Sequence, residues 1–389
     1  MNPRWAAARR ILCVRPDGLA GALLSTPAMR ALRQAVPGRS LTLLAPPSAA
    51  ALLPFVPELD DAIAHASAWT GHAPATASTT AQRYVRLAPR DLALVKTLAA
   101  RRFDAAVIFT ASAHSALPAA LLCRLAGIAL RLAHCRANPC GLLSDALPDP
   151  AADPRHEVQR QLALVRHAGC APADQRLSFV PRPADLAMAR VRLCEAGVDP
   201  DRPWLLLHPG AGAAAHRYPP ALWVRVLRLL AQRPGWPLVL TGSAAETALV
   251  DAIRAAAGVP AVALAGRLAL GELGAALSLA RLTVAGKGAP AQIAAAVGTP
   301  LVSLYALTAP QHTPWAVPNR VLFQDVPCRF CAARSCTQGH HACLAQLAPE
   351  RVAAAVLQLL RLRPHAVGAE ADDRYEAREA AAAYLREPA

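Results

Sequence analysis

Residues 282–308 read LTVAGKGAPAQIAAAVGTPLVSLYALT. The apolar run 282–285 has the length and composition of a short buried strand. A Gly/Ala turn follows, residues 290–297 are small and helix-compatible, and Gly298-Thr299-Pro300 leads into a second apolar strand. Strand, glycine turn and helix start make a place where an open α/β sheet holds an anion, because the first turn of a helix leaves backbone N–H groups unsatisfied. A plain βαβ crossover carries the same signature, so the surroundings have to decide between them.

Upstream of this stretch the same alternation recurs. Apolar strands are expected at 204–208, 237–241 and 262–264, with helical patterns at 221–232, 244–257 and 270–280. The first half opens in the same way, with a strand at 10–15, a loop at 16–21, a helix over 22–36 and a strand at 40–45. Further strands at 103–109 and 128–134 alternate with helices at 48–53, 92–101, 115–125 and 156–168. Two alternating halves imply an α/β protein of two Rossmann-like domains with parallel sheets facing a cleft. The expected division is 1–175 and 186–348, joined by a proline-rich linker at 172–185. An amphipathic helix at 349–362 and a partly disordered tail at 363–389 follow. Residues 71–90 lack any period and are expected to form a mobile surface loop.

Composition narrows the function. With 389 residues and 54% hydrophobic content, the chain can build two cores. Aromatics at 4% are too few for a base-stacking surface, and no dense Lys/Arg run occurs, so nucleic acid is not expected as a partner. The formal net charge of +15 suits a phosphorylated substrate or an anionic membrane surface. The N-terminus lacks an uninterrupted apolar signal region, and no apolar run reaches the about 20 residues of a spanning helix. The expectation is a cytoplasmic protein that touches the inner membrane peripherally.

Several groups carry chemistry. The loop after the 204–208 strand contains Gly210 and Gly212, which let backbone approach a phosphate, with His216 and Arg217 as nearby cations. Thr241-Gly242 ends the next strand, and Glu246 falls in the first turn of the following helix. There it either complements the helix dipole or accepts hydrogen bonds from a ribose. Lys287, Gly288 and Pro290 belong to the anion-binding turn itself. Cys328, Cys331, Cys336 and Cys343 lie within sixteen residues beside His340 and His341. Four thiolates at such spacing can close a tetrahedral site, so a structural zinc or iron is expected. Packed reduced thiols, or a Cys328/Cys331 redox pair, are the other readings.

In order, these segments resemble glycosyltransferase family 9, the ADP-heptose:lipopolysaccharide heptosyltransferases. The resemblance runs through RILCVRPDGLAGALLSTPAMRALRQAVPG, FDAAVIF, HEVQRQLALVRHAG, WLLLHPGAG…HRYPPALW, LVLTGSAAE and residues 264–308. It implies the glycosyltransferase type B fold. It also implies inverting transfer from a nucleotide-sugar, ADP-heptose in the family, to a lipid-linked glycan acceptor, with no metal needed for catalysis. The family's pattern departs at telling places. Its Gly-Asp pair, whose Asp is the proposed base, falls on Ala20-Gly21, leaving Asp17 as the nearby carboxylate. The family's Lys falls on His216 and its Trp on Tyr218. The Asp-x-Gly-Pro-x-His pattern falls on Lys287, Gly288, Ala289, Pro290, Ala291 and Gln292. A second reading follows from these departures: a catalytically lapsed member acting as a binding or scaffold protein.

Overall fold

A computed structural model describes residues 2–66, 88–111, 114–149, 155–232, 235–333 and 335–361. The expected loop at 71–90 lies almost wholly, and the tail at 363–389 wholly, outside these residues.

Twelve strands among the described residues form two sheets of six. The first contains β1 (Arg10–Val14), β2 (Ser40–Ala45), β3 (Asp61–Ala64), β4 (Ala105–Ile108), β5 (Leu130–Cys135) and β6 (Asp145–Pro148), in the order β3-β2-β1-β4-β5-β6. The second contains β7 (Leu205–His208), β8 (Leu238–Leu240), β9 (Ala261–Ala263), β10 (Leu282–Gly286), β11 (Leu301–Leu304) and β12 (Asn319–Leu322). Its order is β12-β11-β10-β7-β8-β9, which reversed is the same permutation as the first. All pairings are parallel. Each sheet therefore has one point where strand order reverses, between β1 and β4 and between β7 and β10. Crevices open there, beyond the carboxyl ends of the strands.

The central strands are apolar runs because both faces are covered: β4 and β7 are buried along their whole length. Edge strands β3, β6 and β12 are only half-buried and carry polar residues, and none of the three was expected from the sequence. Three other expectations change. The helix expected over 22–36 begins earlier, inside the expected loop, and is two helices, Leu19–Leu24 and Thr26–Ala35. Ser25 forms the joint, and Pro27 sits in the first turn of the second helix, where its missing N–H costs nothing. The irregular linker ends at 182, because a helix spans Pro183–Glu195 with its own proline in the first turn.

The halves are joined by packing as well as by chain. Phe55 of the first half stacks on Phe179 at 4.8 Å, and the Val180 amide donates to the Phe55 carbonyl at 2.8 Å. Helix Pro183–Glu195 lies against helix Leu270–Leu279. Gly271 and Gly274 make that approach possible: a Cβ at Gly274 would lie 2.1 Å from the Phe179 ring, and one at Gly271 2.4 Å from the Asp185 carboxyl. The second half also reaches back. Gln311 and Thr313 carbonyls accept hydrogen bonds from the Glu157 amide and His156 Nε2, at 2.8 and 2.9 Å, and Trp315 stacks on His156.

Candidate active site

The two strand-order reversals face one another, with helix Ala289–Ala296 from the second half packed against helix Leu19–Leu24 from the first. On the first wall, β1 delivers Arg15 and Asp17. Arg15 is 1% exposed and bridges two carboxylates: its Nε lies 2.9 Å from Asp17 Oδ2 and its Nη1 2.8 Å from Glu157 Oε1. It also donates to Ser25 Oγ at 3.2 Å. The loop after β4 brings His114, whose Nδ1 lies 2.7 Å from Asp17 Oδ1. Both oxygens of Asp17 thus face cations. Burial would raise the Asp17 carboxyl, but the Arg15 guanidinium and the His114 hydrogen bond hold it well below the usual carboxylate range. Burial opposes Glu157 in the same way, and Arg15, His312 and Arg160 keep it low. The hydrogen bond to Asp17 raises His114 against the opposing effect of burial.

Gly21 lies directly against this pair. A Cβ there would sit 2.9 Å from Arg15 Nε and 3.0 Å from Asp17 Cβ. The guanidinium and Asp17 therefore fill the space that a residue-21 side chain would need.

On the second wall, β10 ends at Gly286 and Lys287 follows. The Lys287 ammonium donates to Thr308 Oγ1 at 2.7 Å and stands 5.9 Å above the Tyr305 ring. Burial pushes it down to about 8. Gly288 caps helix Ala289–Ala296 in an extended conformation, and Pro290 occupies the first turn. Gln292 donates to the His312 carbonyl at 3.0 Å. Burial, with Lys287 nearby, pushes the His312 imidazole down to about 4, and its Nδ1 is buried without a hydrogen-bond partner. His312 lies within electrostatic reach of Asp17, Glu157 and Lys287, so it links the two walls.

The residues after β7 and β8 form a neighbouring group. His208 Nδ1 lies 3.0 Å from Thr241 Oγ1, and burial pushes this imidazole down to about 4 against the pull of Glu246. Glu246 accepts from the Ser243 amide and hydroxyl, both at 2.8 Å, closing a capping box on its own turn. Its carboxyl also lies over Gly210, where a Cβ would come within 2.1 Å of it. Gly242 supports the same corner, since a Cβ there would lie 3.2 Å from Glu246 and Val250 side chains. Gly212 is open on its surroundings. His216 ends a short 3-10 turn whose carbonyl approaches Gly286, and Arg217 donates to the Ala211 carbonyl at 3.3 Å. Tyr218 is a buried packing residue, bonded to the Leu347 carbonyl at 2.8 Å and edge-on to Trp223.

The sequence therefore points to both walls but misses His114, Glu157 and His312. Glu157 stands in a segment that carries the family resemblance, which is a signal of a kind. The two histidines lie in loops without pattern, and only the fold brings them to the cleft.

The cysteine group is near-neighbourly rather than convergent. Cys343 is raised by burial and then by the Cys331, Cys328 and Cys336 thiols, so the four feel one another. Cys328 Sγ lies 3.7 Å from His340 Nε2, and Cys336 Sγ accepts from the His341 amide at 3.3 Å. Among the described residues no three His, Cys, Asp or Glu side chains stand in metal-binding geometry, so the expected closed tetrahedral arrangement is not formed here.

Two facing Rossmann-like halves of parallel sheet are the arrangement of the glycosyltransferase type B fold. The family model described as glycosyltransferase family 9 (heptosyltransferase) matches residues 92–342. The chain belongs to that family.

Lipopolysaccharide heptosyltransferase 1 of Pseudomonas aeruginosa is 31% identical over 190 residues, 48% of this chain and 50% of that protein. Lipopolysaccharide heptosyltransferase 3 of Escherichia coli is 31% identical over 161 residues, 41% of this chain and 46% of that protein. The alignments thus span about half the length of these relatives. Among solved structures, the family 9 glycosyl transferase of Veillonella parvula DSM 2008 superposes with TM-score 0.72 at 16% identity, over 90% of this chain and 97% of that one. E. coli ADP-heptose lps heptosyltransferase II gives 0.67 at 23% identity, over 90% and 98%. E. coli heptosyltransferase WaaC with ADP gives 0.60 at 16%, over 90% and 97%. These likenesses concern the fold. Among the described residues no helix is long and apolar enough to cross a membrane.

Proposed function

We propose that the chain transfers a sugar, with inversion, from a nucleotide-diphosphate donor of the ADP-heptose type to a lipopolysaccharide or other cell-envelope glycan. The observation that carries this reading is the pair of facing crevices: Lys287 and the capped helix Ala289–Ala296 on one wall, Arg15, Asp17 and His114 on the other. In this reading the donor diphosphate lies against Lys287, Gly288, the helix turn at Pro290 and the Gly210–Gly212 loop. Backbone N–H groups and an ammonium there stabilise the departing charge. Arg217 and His216 add cationic character at the rim. Thr241, Gly242 and Glu246 border the nucleoside, and Glu246 has the carboxyl for a ribose diol once it leaves its capping role. The acceptor belongs on the Asp17 wall, and the net charge of +15 suits a phosphorylated, lipid-linked one at the cytoplasmic membrane face.

The test is ADP release by the purified full chain, given ADP-heptose and a panel of lipopolysaccharide-core acceptors. Turnover above the no-acceptor control supports the reading. Its absence, with donor binding retained in calorimetry, supports the lapsed alternative. That alternative rests on the resemblance read in the sequence, which sets Gly21, Lys287 and Gln292 against the family's Asp, Asp and His. A structural zinc or iron at Cys328, Cys331, Cys336 and Cys343 is a separate proposal, supported by thiols already within electrostatic reach of one another. Such an ion would draw them together and release their protons. Elemental analysis with a thiol count checks it: about one metal per chain is expected, and metal-free protein with four titratable thiols would exclude it.

A further inference from the structure

We propose that the outer face of helices Pro89–Arg101 and Leu117–Leu125 docks on a phospholipid surface rich in anionic headgroups. The inference rests on the transferase reading for its lipid-linked acceptor, and goes beyond it by assigning the side of the molecule that meets the membrane.

The two helices pack side by side on one face of the first sheet. Leu94 and Leu98 of one and Leu122 and Cys123 of the other share a core with Leu12, Val14 and Ile108 beneath them. Their outer sides are exposed at Leu92, Lys96, Arg124 and Leu125. Each helix connects two parallel strands, so both start at the carboxyl edge of the sheet. That edge carries Asp17 and His114, so a membrane on this face lies alongside the wall proposed for the acceptor.

The charge of this face is one-sided. Residues 89–142 hold seven Lys/Arg and two acids, a net +5 of the chain's +15. Both acids are engaged elsewhere. Asp91 is buried, with Oδ1 2.9 Å from His65 Nε2 and Oδ2 accepting from the Ala88 amide at 3.0 Å. Asp104 Oδ2 accepts from the Arg9 and Arg10 amides at the amino edge of the sheet, both at 2.8 Å. Arg124 and Arg131 bond to neutral acceptors. The first donates to the Cys140 and Gly141 carbonyls at 2.7 and 3.0 Å, the second to those of Leu142 and Ala129 at 2.6 and 2.9 Å. Carbonyls hold these guanidinium groups in place without cancelling their charge. Arg90, Lys96 and Arg102 are exposed on the same segment. A layer of phosphate headgroups supplies counter-charge to cations spread out in this way.

Apolar contact comes from Leu92 and Leu125, each 50% exposed. One stands in the first turn of its helix and the other in the last turn of its own, so they mark opposite ends of the pair. Aliphatic side chains among basic ones on a helical surface suit the headgroup boundary, where the former insert and the latter meet phosphate. The aromatic residues of the segment, Phe103 and Phe109, are buried, so the face has no stacking groups for a nucleic acid.

The experiment is co-sedimentation of the full chain with vesicles of phosphatidylcholine alone and of phosphatidylcholine and phosphatidylglycerol in equal parts. Wild type should pellet with the anionic vesicles only. It should come off them as ionic strength rises from about 0.1 to about 1 M, where the screening length shrinks from about 10 to about 3 Å. Arg90→Glu/Lys96→Glu should weaken binding by at least about tenfold, since each basic charge is worth about fivefold near such a surface. Arg202→Glu/Arg361→Glu makes the same change of net charge at exposed positions of the second half, and should stay within about threefold of wild type. Leu92→Ser should weaken binding at either salt level, and melting temperatures separate misfolding from lost contact. Absent or equal binding of wild type to the two vesicles, equal loss in both double variants, or full binding by Arg90→Glu/Lys96→Glu overturns the docking face. ADP release with a soluble, lipid-free acceptor should be the same for wild type and Arg90→Glu/Lys96→Glu, so a failed docking face leaves the transferase reading intact. A wild type that binds anionic vesicles yet turns over no acceptor counts against that reading alone.

Discussion

Arg15 is a fully buried cation with two carboxylates and a hydroxyl on it, and its removal strands both acids. Arg15→Met should cost about 3–5 kcal/mol of unfolding free energy, the usual result of leaving buried charge without its partner. A denaturation midpoint measured beside wild type checks this. The cost should shrink in the Glu157→Gln background, because one stranded charge is gone. Lys287 tests the opposite wall. Its ammonium is charged below about 8, because burial disfavours the ion. Donor affinity should therefore decline as pH rises through about 8, and that decline should vanish in Lys287→Met. The variant should bind ADP-sugar about tenfold more weakly at pH 7, as loss of one charge-assisted contact requires. Unchanged affinity at pH 7 would remove Lys287 from the donor site.

Helix Leu270–Leu279 and helix Pro183–Glu195 approach closely because the contact face of the former carries glycine where Phe179 and Asp185 press in. Phe179 cannot simply turn aside, since it is stacked on Phe55. Gly274→Ala should destabilise the protein by about 1–3 kcal/mol through overpacking. Thermal unfolding reads the effect, and the larger Gly274→Val should fall further. The same elements show what could be read from the chain. β4, β7 and β10 are legible because strands covered on both faces need uninterrupted apolar residues. Edge strands β3, β6 and β12 are not, because a half-covered strand mixes Asp, Pro, Asn and Arg with its apolar residues and looks like loop. The site divides in a similar way. Gly210, Lys287 and Pro290 announce themselves as strand–turn–helix chemistry, whereas His114 and His312 gain meaning only from the fold that carries their loops to the cleft. Glu246 shows a third case: its sequence position is compatible with two roles, and the capping bonds to Ser243 establish the structural one.

At the scale of the molecule, histidines held neutral lie where the halves meet and beneath the cleft. His156 donates across the halves to the Thr313 carbonyl, and its Nδ1 accepts from the Val158 amide at the start of helix Glu157–His167. Burial pushes His156, His208 and His312 each down to about 4, from an ordinary 6.5. The sign follows from proton counting. Between pH 6.5 and about 4 the unfolded chain binds these protons and the folded chain resists them, so acid favours unfolding. Their stabilising contribution is complete above 6.5 and is lost as pH falls toward 4, by up to about 3 kcal/mol for each histidine. Other groups act outside that window. Asp17 and Glu157 have ordinary values of 3.8 and 4.5 that the fold lowers, so their contribution is lost only in stronger acid. His114 is raised by Asp17, so it favours the folded state as pH falls toward 6.5 and adds nothing further below it. The melting temperature should therefore drop steeply between pH 6.5 and 5, before the carboxylates titrate. His156→Gln should be less stable at pH 7, through its lost cap and cross-half bond, yet show a shallower slope across that interval. Equal slopes for wild type and variant would mean that His156 takes up its proton in the folded state as readily as in the unfolded one, and that the junction between the halves is open to water.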